Sequence, residues 1–254
     1  MIRNLVKDAR EYARDGFRWR GNEPTRIEGF SDAVFAFALT LLVVSLEVPK
    51  TFDDLTLAMR QFPAFGVCFM LLIWVWYEHY IYFRRYGAQD GVTILLNALL
   101  LFVVVFFVYP LKFLFAQTIS AMLGVDTRVA LASGQLIEPI GPGQWQPLMM
   151  IYGAGYASLF AVFAALYARV LRPHTTLDLS ARERFLSRMN LLIHVSNVVI
   201  GLLVVTAAFV LKSYAGFAGF LFFLIMPVRL IVERIKHQRI QAMPLEEEQP
   251  SGGQ

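Results

Sequence analysis

Three ionisable side chains, Arg26, Glu28 and Asp32, stand immediately before an apolar run that extends from Ala33 to Leu46. As a helix this run would rise only about 21 Å, whereas the hydrocarbon core of a bilayer is about 30 Å thick. Thr25, followed three residues later by Glu28, is typical of a capping box and predicts that the helix begins there. The helix therefore carries three charged groups at or inside the edge of the membrane.

These charges could have a function or could simply flank a membrane span. An ionisable group in a membrane is unfavourable unless it faces protein or water, which makes Arg26 and Asp32 candidates for a functional site. In an ordinary flank, Arg26 would extend to the interface, and Asp32 would be stabilised by the helix dipole near the N-terminus. The chemistry of the two residues leaves both interpretations open.

The same segment contains a stripe of mostly apolar residues at helical spacing, with a single threonine near the middle of the membrane. Such a stripe could line a pore. The threonine could equally donate to a carbonyl of its own helix, and an aromatic stripe often serves helix packing. The stripe consists of Phe30, Ala33, Phe37, Thr40, Leu41 and Val44.

The pattern Arg26-x-x-x-Phe30-Ser31-Asp32, followed by AVFA and a Thr-Leu-Leu run, resembles the R-x-x-x-F-S-D signature of the transmembrane protein 175 potassium channel family, found in lysosomes and bacteria. The resemblance implies an all-α fold with six transmembrane helices per subunit. It also implies a homotetramer in which the first helix of each subunit lines one central pore, without a selectivity-filter loop. Potassium would be the permeant ion, and no cofactor is implied.

The resemblance also assigns roles by offset from the motif aspartate. It implies an apolar constriction at Phe37, a polar layer at Thr40 and further apolar rings at Leu41 and Val44. The family usually has a branched aliphatic residue at the constriction, so Phe37 is a departure from the pattern. Asn97, in a later apolar segment, resembles an asparagine that the family pattern has in this helix.

The composition of the whole chain excludes an ordinary soluble domain. It has 254 residues, 57% of them hydrophobic, with 22 phenylalanines and a mean hydropathy of +0.55. We expect a basic cytosolic flank at 1–25, one six-helix membrane domain at 26–235, and a disordered cytosolic tail at 236–254. After the first span, further spans are predicted at 64–83, 92–115, 147–168, 189–211 and 217–232.

The basic residues predict the orientation. With the N-terminus inside, the outer side carries only five of the 23 lysines and arginines, namely Lys50, Arg60, Lys112, Arg128 and Lys212. This bias predicts a multi-pass protein of the cell membrane, with both termini in the cytoplasm. The bases flank apolar spans instead of forming one stripe, so a lipid bilayer, and not nucleic acid, is the expected partner.

Several polar residues of different spans would share one depth near the inner face. An unpartnered polar group is unfavourable in this region, so some of them should bond one another. Such a network could hold the helices together, could fix the pore helix, or could do both. Its candidate members are Arg26, Phe30, Ser31, Asp32, His79 and Asn97, with Glu78 and His194 at the same depth.

Three classes of function can be compared. A potassium-permeable cation channel fits the stripe, whose apolar ring would disturb the hydration shell and whose threonine dipoles would partly replace it. The alternative is a secondary transporter or a proton-permeable leak that uses Arg26, Asp32 and His79. The apolar midplane and the absence of an evident repeat disfavour a transporter. No HExxH, GxSxG or comparable motif is present, so we expect neither an enzyme nor catalytic or metal-binding residues.

Overall fold

The computed structural model describes residues 16–21, 23–44, 48–124, 128–130, 135–141, 143–173 and 177–242. Within these ranges the protein is almost entirely helical. A short antiparallel pair, β1 (Val129–Ala130) and β2 (Leu136–Ile137), departs from the all-α expectation. The helices are α1 (Arg26–Val44), α2 (Phe52–Tyr86), α3 (Gly91–Met122), α4 (Trp145–Val170), α5 (Ala181–Leu211), a 3₁₀ segment (Lys212–Leu224) and α6 (Ile225–Gln241).

Five stretches of the described chain are long and apolar enough to cross a membrane. They are α1, α2, α3, α4 and the continuous stretch Ala181–Gln241. The last stretch contains a break, because Lys212 has a φ of 47°, a conformation that ends the regular helix. Beyond the break the chain returns along the bundle, since Phe222 contacts Tyr156 of α4 with ring centroids 5.1 Å apart.

The helices α4 and α5 cross at two glycines. A Cβ atom added at Gly153 would lie 2.8 Å from the carbonyl oxygen of Gly201, and one at Gly201 would lie 2.8 Å from that of Gly153. Small residues allow two backbones to approach this closely in a membrane, where helix association depends on van der Waals packing. The two glycines therefore allow α4 and α5 to pack closely along the bundle.

Several helices extend beyond the predicted spans. The prediction started the second span at residue 64, but α2 begins at Phe52, because Thr51 and Asp54 form a reciprocal capping box and Pro63 is accommodated inside the helix. The last helix continues to Gln241, inside the predicted tail, whose residues from 243 on lie outside the described part. Of the predicted N-terminal flank, residues 16–21 are non-helical and residues 1–15 are not described.

Candidate functional site

The start of α1 has the predicted capping box. The backbone N–H of Glu28 donates to Thr25 Oγ1 at 3.2 Å, and the backbone N–H of Thr25 donates to Glu28 Oε1 at 3.3 Å. These bonds satisfy two amides that a helix N-terminus otherwise leaves without a partner. The helix start is therefore fixed by the sequence next to the charged motif.

One face of α1 packs against the rest of the subunit. Phe35 is 3% exposed, while Ala38 and Leu42 are completely buried. Residues seven apart on a helix return to nearly the same face, so the predicted stripe forms one face of α1. This face lies roughly opposite the buried one. Phe37 is 55% exposed, Val44 is 69% exposed, and Leu41 is half-buried. Leu41 packs partly against the core, whereas the exposed members of the stripe are free to meet another subunit, lipid or water.

Thr40 lies on the exposed face. Its hydroxyl donates to the backbone carbonyl of Ala36 at 2.9 Å, one helical turn earlier. This bond to the preceding turn was one of the two alternatives for Thr40. It leaves the lone pairs of the oxygen available to accept a bond or to contact a cation. A structural bond and a function at the exposed surface are therefore compatible.

A buried chain of hydrogen bonds joins three helices near the N-terminal end of α1. The amide nitrogen of Asn97 on α3 donates to Ser31 Oγ at 2.9 Å, and Asn97 Oδ1 lies 2.9 Å from His79 Nε2 on α2. Ser31 Oγ in turn donates to the carbonyl of Ile27 at 2.8 Å. Ser31, Asn97 and His79 are at most 3% exposed. We call these three residues the inner polar network, after the inner-face depth that the sequence predicts for them.

The other members of the predicted network are placed differently. Asp32 Oδ1 accepts a hydrogen bond from Trp76 Nε1 of α2 at 2.7 Å. Arg26 is exposed and makes no hydrogen bond or ion pair with the described residues, and Phe30 is 64% exposed. Arg26, Asp32 and His79 therefore do not form one chain of hydrogen bonds among the described residues.

Two further groups at this depth lie apart from the inner polar network. Glu78 forms an ion pair with Arg229 of α6 at 3.0 Å and accepts a hydrogen bond from Trp74 Nε1 at 3.0 Å. His194 is stacked on Phe163 with ring centroids 5.1 Å apart. Glu78 and His79, although adjacent, thus bond to different helices, as their angular separation of about 100° on a helix requires.

Trp76 and Arg229 were not among the residues selected from the sequence. A signal for the first was present, because an indole N–H within a membrane span needs an acceptor and Asp32 begins the neighbouring span. For Arg229 the sequence indicated only how the protein is oriented in the membrane, since positive residues are expected at the inner ends of membrane helices in any case. Which acidic residue it would meet depends on how the last helix returns along the bundle.

Comparison with known proteins extends these observations. Residues 26–107 match the family model described as "Endosomal/lysosomal potassium channel TMEM175". A potassium channel of Marivirga tractuosa is 38% identical over 228 residues, which cover 88% of this chain and 92% of that protein. The chain belongs to the TMEM175 potassium channel family. The part of this TMEM175 chain that matches the model contains all of α1 and α2 and the whole inner polar network.

Solved structures agree with this assignment of the fold. The crystal structure of the potassium channel MtTMEM175, a variant bound to a nanobody–MBP fusion protein, superposes with a TM-score of 0.75 at 36% identity, covering 89% of this chain and 99% of that chain. A TMEM175 homologue from Chamaesiphon minutus superposes with a TM-score of 0.54 at 22% identity, over 82% of this chain and 96% of that one, and supports the fold alone. The protein is therefore a multi-pass membrane protein of this family.

Proposed function

We propose that this protein is a potassium-permeable cation channel of the cell membrane, formed by four copies around an axis that the α1 helices line. The observation that carries the proposal is the contrast within α1. One face is held by buried contacts, while the other presents Phe37, Thr40 and Val44 away from the subunit. The names of the related potassium channels support potassium as the ion.

An oligomer follows from the shape of the proposed pathway. One helix with a single lightly polar stripe cannot enclose a path for ions, whereas several copies around a symmetry axis can. Each subunit would cross the membrane six times, with the 3₁₀ segment and α6 forming the sixth crossing after the break at Lys212. This even number agrees with both termini being cytoplasmic and with the bias of basic residues toward that side.

Selectivity in this proposal arises from two layers. The Phe37 side chains would converge into the narrowest apolar ring, where dewetting opposes ions that keep a full hydration shell. Thr40, about one turn further along, would present four hydroxyl oxygens that partly replace the lost water. Leu41 and Val44 would continue the apolar lining. The back-bond from Thr40 to Ala36 supports this arrangement, because it fixes the hydroxyl while leaving the oxygen as an acceptor.

Reconstitution into liposomes tests the proposal. Purified protein is placed in vesicles with a potassium gradient, and flux and reversal potential are measured with potassium and then sodium outside. We expect a potassium flux and a reversal potential that follows the potassium gradient. Folded protein, judged by a cooperative thermal transition, that passes no cation would contradict the channel function. Cross-linking in the same vesicles should give species up to the tetramer and no larger.

A further inference from the structure

The chain immediately before α1 is fixed to the ends of two other helices. We call residues 16–21 the anchor segment. The backbone N–H groups of Arg20 and Gly21 both donate to the carbonyl of Arg84, at 3.1 Å each, and the Arg84 side chain donates back to the carbonyl of Gly21. A Cβ atom on Gly21 would lie 2.8 Å from the carbonyl oxygen of Phe83, so the backbones are in close contact. The anchor segment is therefore tied to the end of α2.

A buried ion pair ties the same segment to α5. Arg20 donates through both terminal nitrogens to Glu183, at 2.9 Å to Oε1 and 2.7 Å to Oε2. Arg20 also donates to the carbonyl of Asp178 at 2.7 Å, and the N–H of Arg18 donates to Glu183 Oε1 at 2.9 Å. The Glu183 side chain is only 5% exposed. Paired, two-point contacts between guanidinium and carboxylate fix geometry as well as charge.

Glu183 accepts several hydrogen bonds. Besides the Arg20 guanidinium, the backbone N–H groups of Ser180 and Arg18 donate to its carboxylate. Without its arginine, the buried carboxylate would keep its backbone donors but lose its counter-charge, which is unfavourable. The pair is thus a firm connection and not a loose surface contact.

Aromatic packing completes the anchor. Phe17 is fully buried, lies edge-on to Tyr86 with ring centroids 5.5 Å apart, and is covered by the Arg85 guanidinium 4.9 Å from its ring. The hydroxyl of Tyr86 lies 2.6 Å from Ser187 Oγ on α5, and Ser187 donates to the carbonyl of Glu183 at 2.7 Å. The anchor segment, α2 and α5 therefore form one packed unit.

We propose that the Arg20–Glu183 pair is a positioning device for α1, which fixes the inner end of the pore helix from a place that the pore does not touch. Only four residues separate Gly21 from Arg26, and an extended chain spans at most about 3.6 Å per residue, so this short connection limits how far α1 can move from the anchor segment. The inference rests on the proposed channel function, in which the position of α1 sets the width of the pathway. It assigns a role in permeation to Glu183, a residue outside α1.

A double-mutant cycle tests the pair. Arg20→Gln, Glu183→Gln and the double variant are compared by hydrogen exchange of the backbone amides of α1 from Gly29 to Phe35, and by potassium flux in liposomes. We expect each single variant to change both readouts by about two- to thirty-fold, the usual range for remote coupling. The double variant should be no worse than the singles, because the interaction is already lost. Arg20→Lys, which keeps the charge without the two-point contact, replaces any variant that fails to fold.

Asp90→Asn is the matched control. Asp90 pairs with Arg169 at 2.5 Å at the same end of the bundle and caps α3, and asparagine caps equally well, but this pair does not contact the anchor segment. We expect no change in α1 exchange or in flux. Unchanged exchange in both single variants, additive effects in the cycle, or raised exchange with unchanged flux would overturn the inference. If the wild-type protein passes no potassium, the channel function fails, and the exchange data alone decide whether the pair positions α1.

Discussion

The two faces of α1 are built from similar residues but have opposite surroundings. Phe35 and Phe37 are two residues apart, yet the first is 3% exposed and the second 55%. Ser31 and Thr40 are both hydroxyl residues, but Ser31 accepts a bond from another helix, whereas Thr40 donates to a carbonyl of α1 itself. Residue type therefore does not separate the structural face from the candidate pore face. The separation lies in whether a side chain has a partner inside its own subunit.

The difference between the two faces of α1 is tested most strongly at Phe35 and Phe37. Phe35→Ala removes a ring packed in the core and should lower the free energy of unfolding by about 3 to 5 kcal/mol. Phe37→Ala removes a ring that is largely exposed in the subunit, so it should leave subunit stability nearly unchanged, widen the constriction, raise flux and reduce the preference for potassium. Thermal unfolding and liposome flux are measured on both variants.

Phe37→Asn sharpens this test. Asparagine is polar and larger than alanine, so it admits water to the constriction while widening it less. Flux should rise for both Phe37 variants if dewetting limits permeation, and only for alanine if width limits it. A loss of stability in Phe37→Ala with unchanged flux would show that the ring packs against a neighbour or lipid. The assignment of Thr40, Leu41 and Val44 to the pore would then fail with it.

A smaller effect is expected at the inner polar network. Asn97→Ala leaves the Ser31 hydroxyl and the His79 ring without their shared partner, and each interhelical bond of this kind contributes about 0.6 to 2 kcal/mol in a membrane. We expect lower thermal stability, a reduced yield of assembled protein and faster hydrogen exchange in α1. All three are measured in the same detergent.

Asn197→Ala is the control for Asn97. Asn197 is also buried, at 4% exposed, and accepts a bond from Tyr156 at 3.0 Å, but it joins α4 to α5 and is remote from α1. Its loss should lower stability by a similar amount without changing exchange in α1. Equal changes in α1 exchange for both variants would mean that the inner polar network has no particular role in holding that helix.

The sequence predicted much of this arrangement, for identifiable reasons. The capping pair at Thr25 and Glu28 and the placing of polar residues at one depth both depend on local spacing and hydropathy, which are readable along the chain. The contact from Trp76 to Asp32 and the bond from Arg229 to Glu78 depend on how each helix is rotated against its neighbours. Rotation is set by packing of the whole bundle, so spacing within one helix does not determine it.

The start of α2 shows a second kind of error. The span predicted from residue 64 leaves the preceding segment, KTFDDLTLAMRQFP, as a short connection. The reciprocal bonds between Thr51 and Asp54 begin a helix there instead. The capping bonds therefore start a helix here, although the segment is polar and contains a proline.

The smallest expected effect, and the most specific one, concerns Thr40. Thr40→Val keeps the volume and removes the hydroxyl oxygen, so it should lower the potassium-to-sodium permeability ratio without closing the pore.

Thr206→Val is a closely matched control. Thr206 is exposed on α5 and donates to the carbonyl of Leu202 at 2.9 Å, the same bond one turn back that Thr40 makes to Ala36. Both variants lose one identical intrahelical bond, so any common change in stability cancels in the comparison. Reversal potentials in mixed potassium and sodium solutions provide the measurement. A ratio that falls for Thr40→Val alone assigns the oxygen to the pathway, whereas equal ratios for both variants and the wild type would mean that the Thr40 hydroxyl only bonds its own helix.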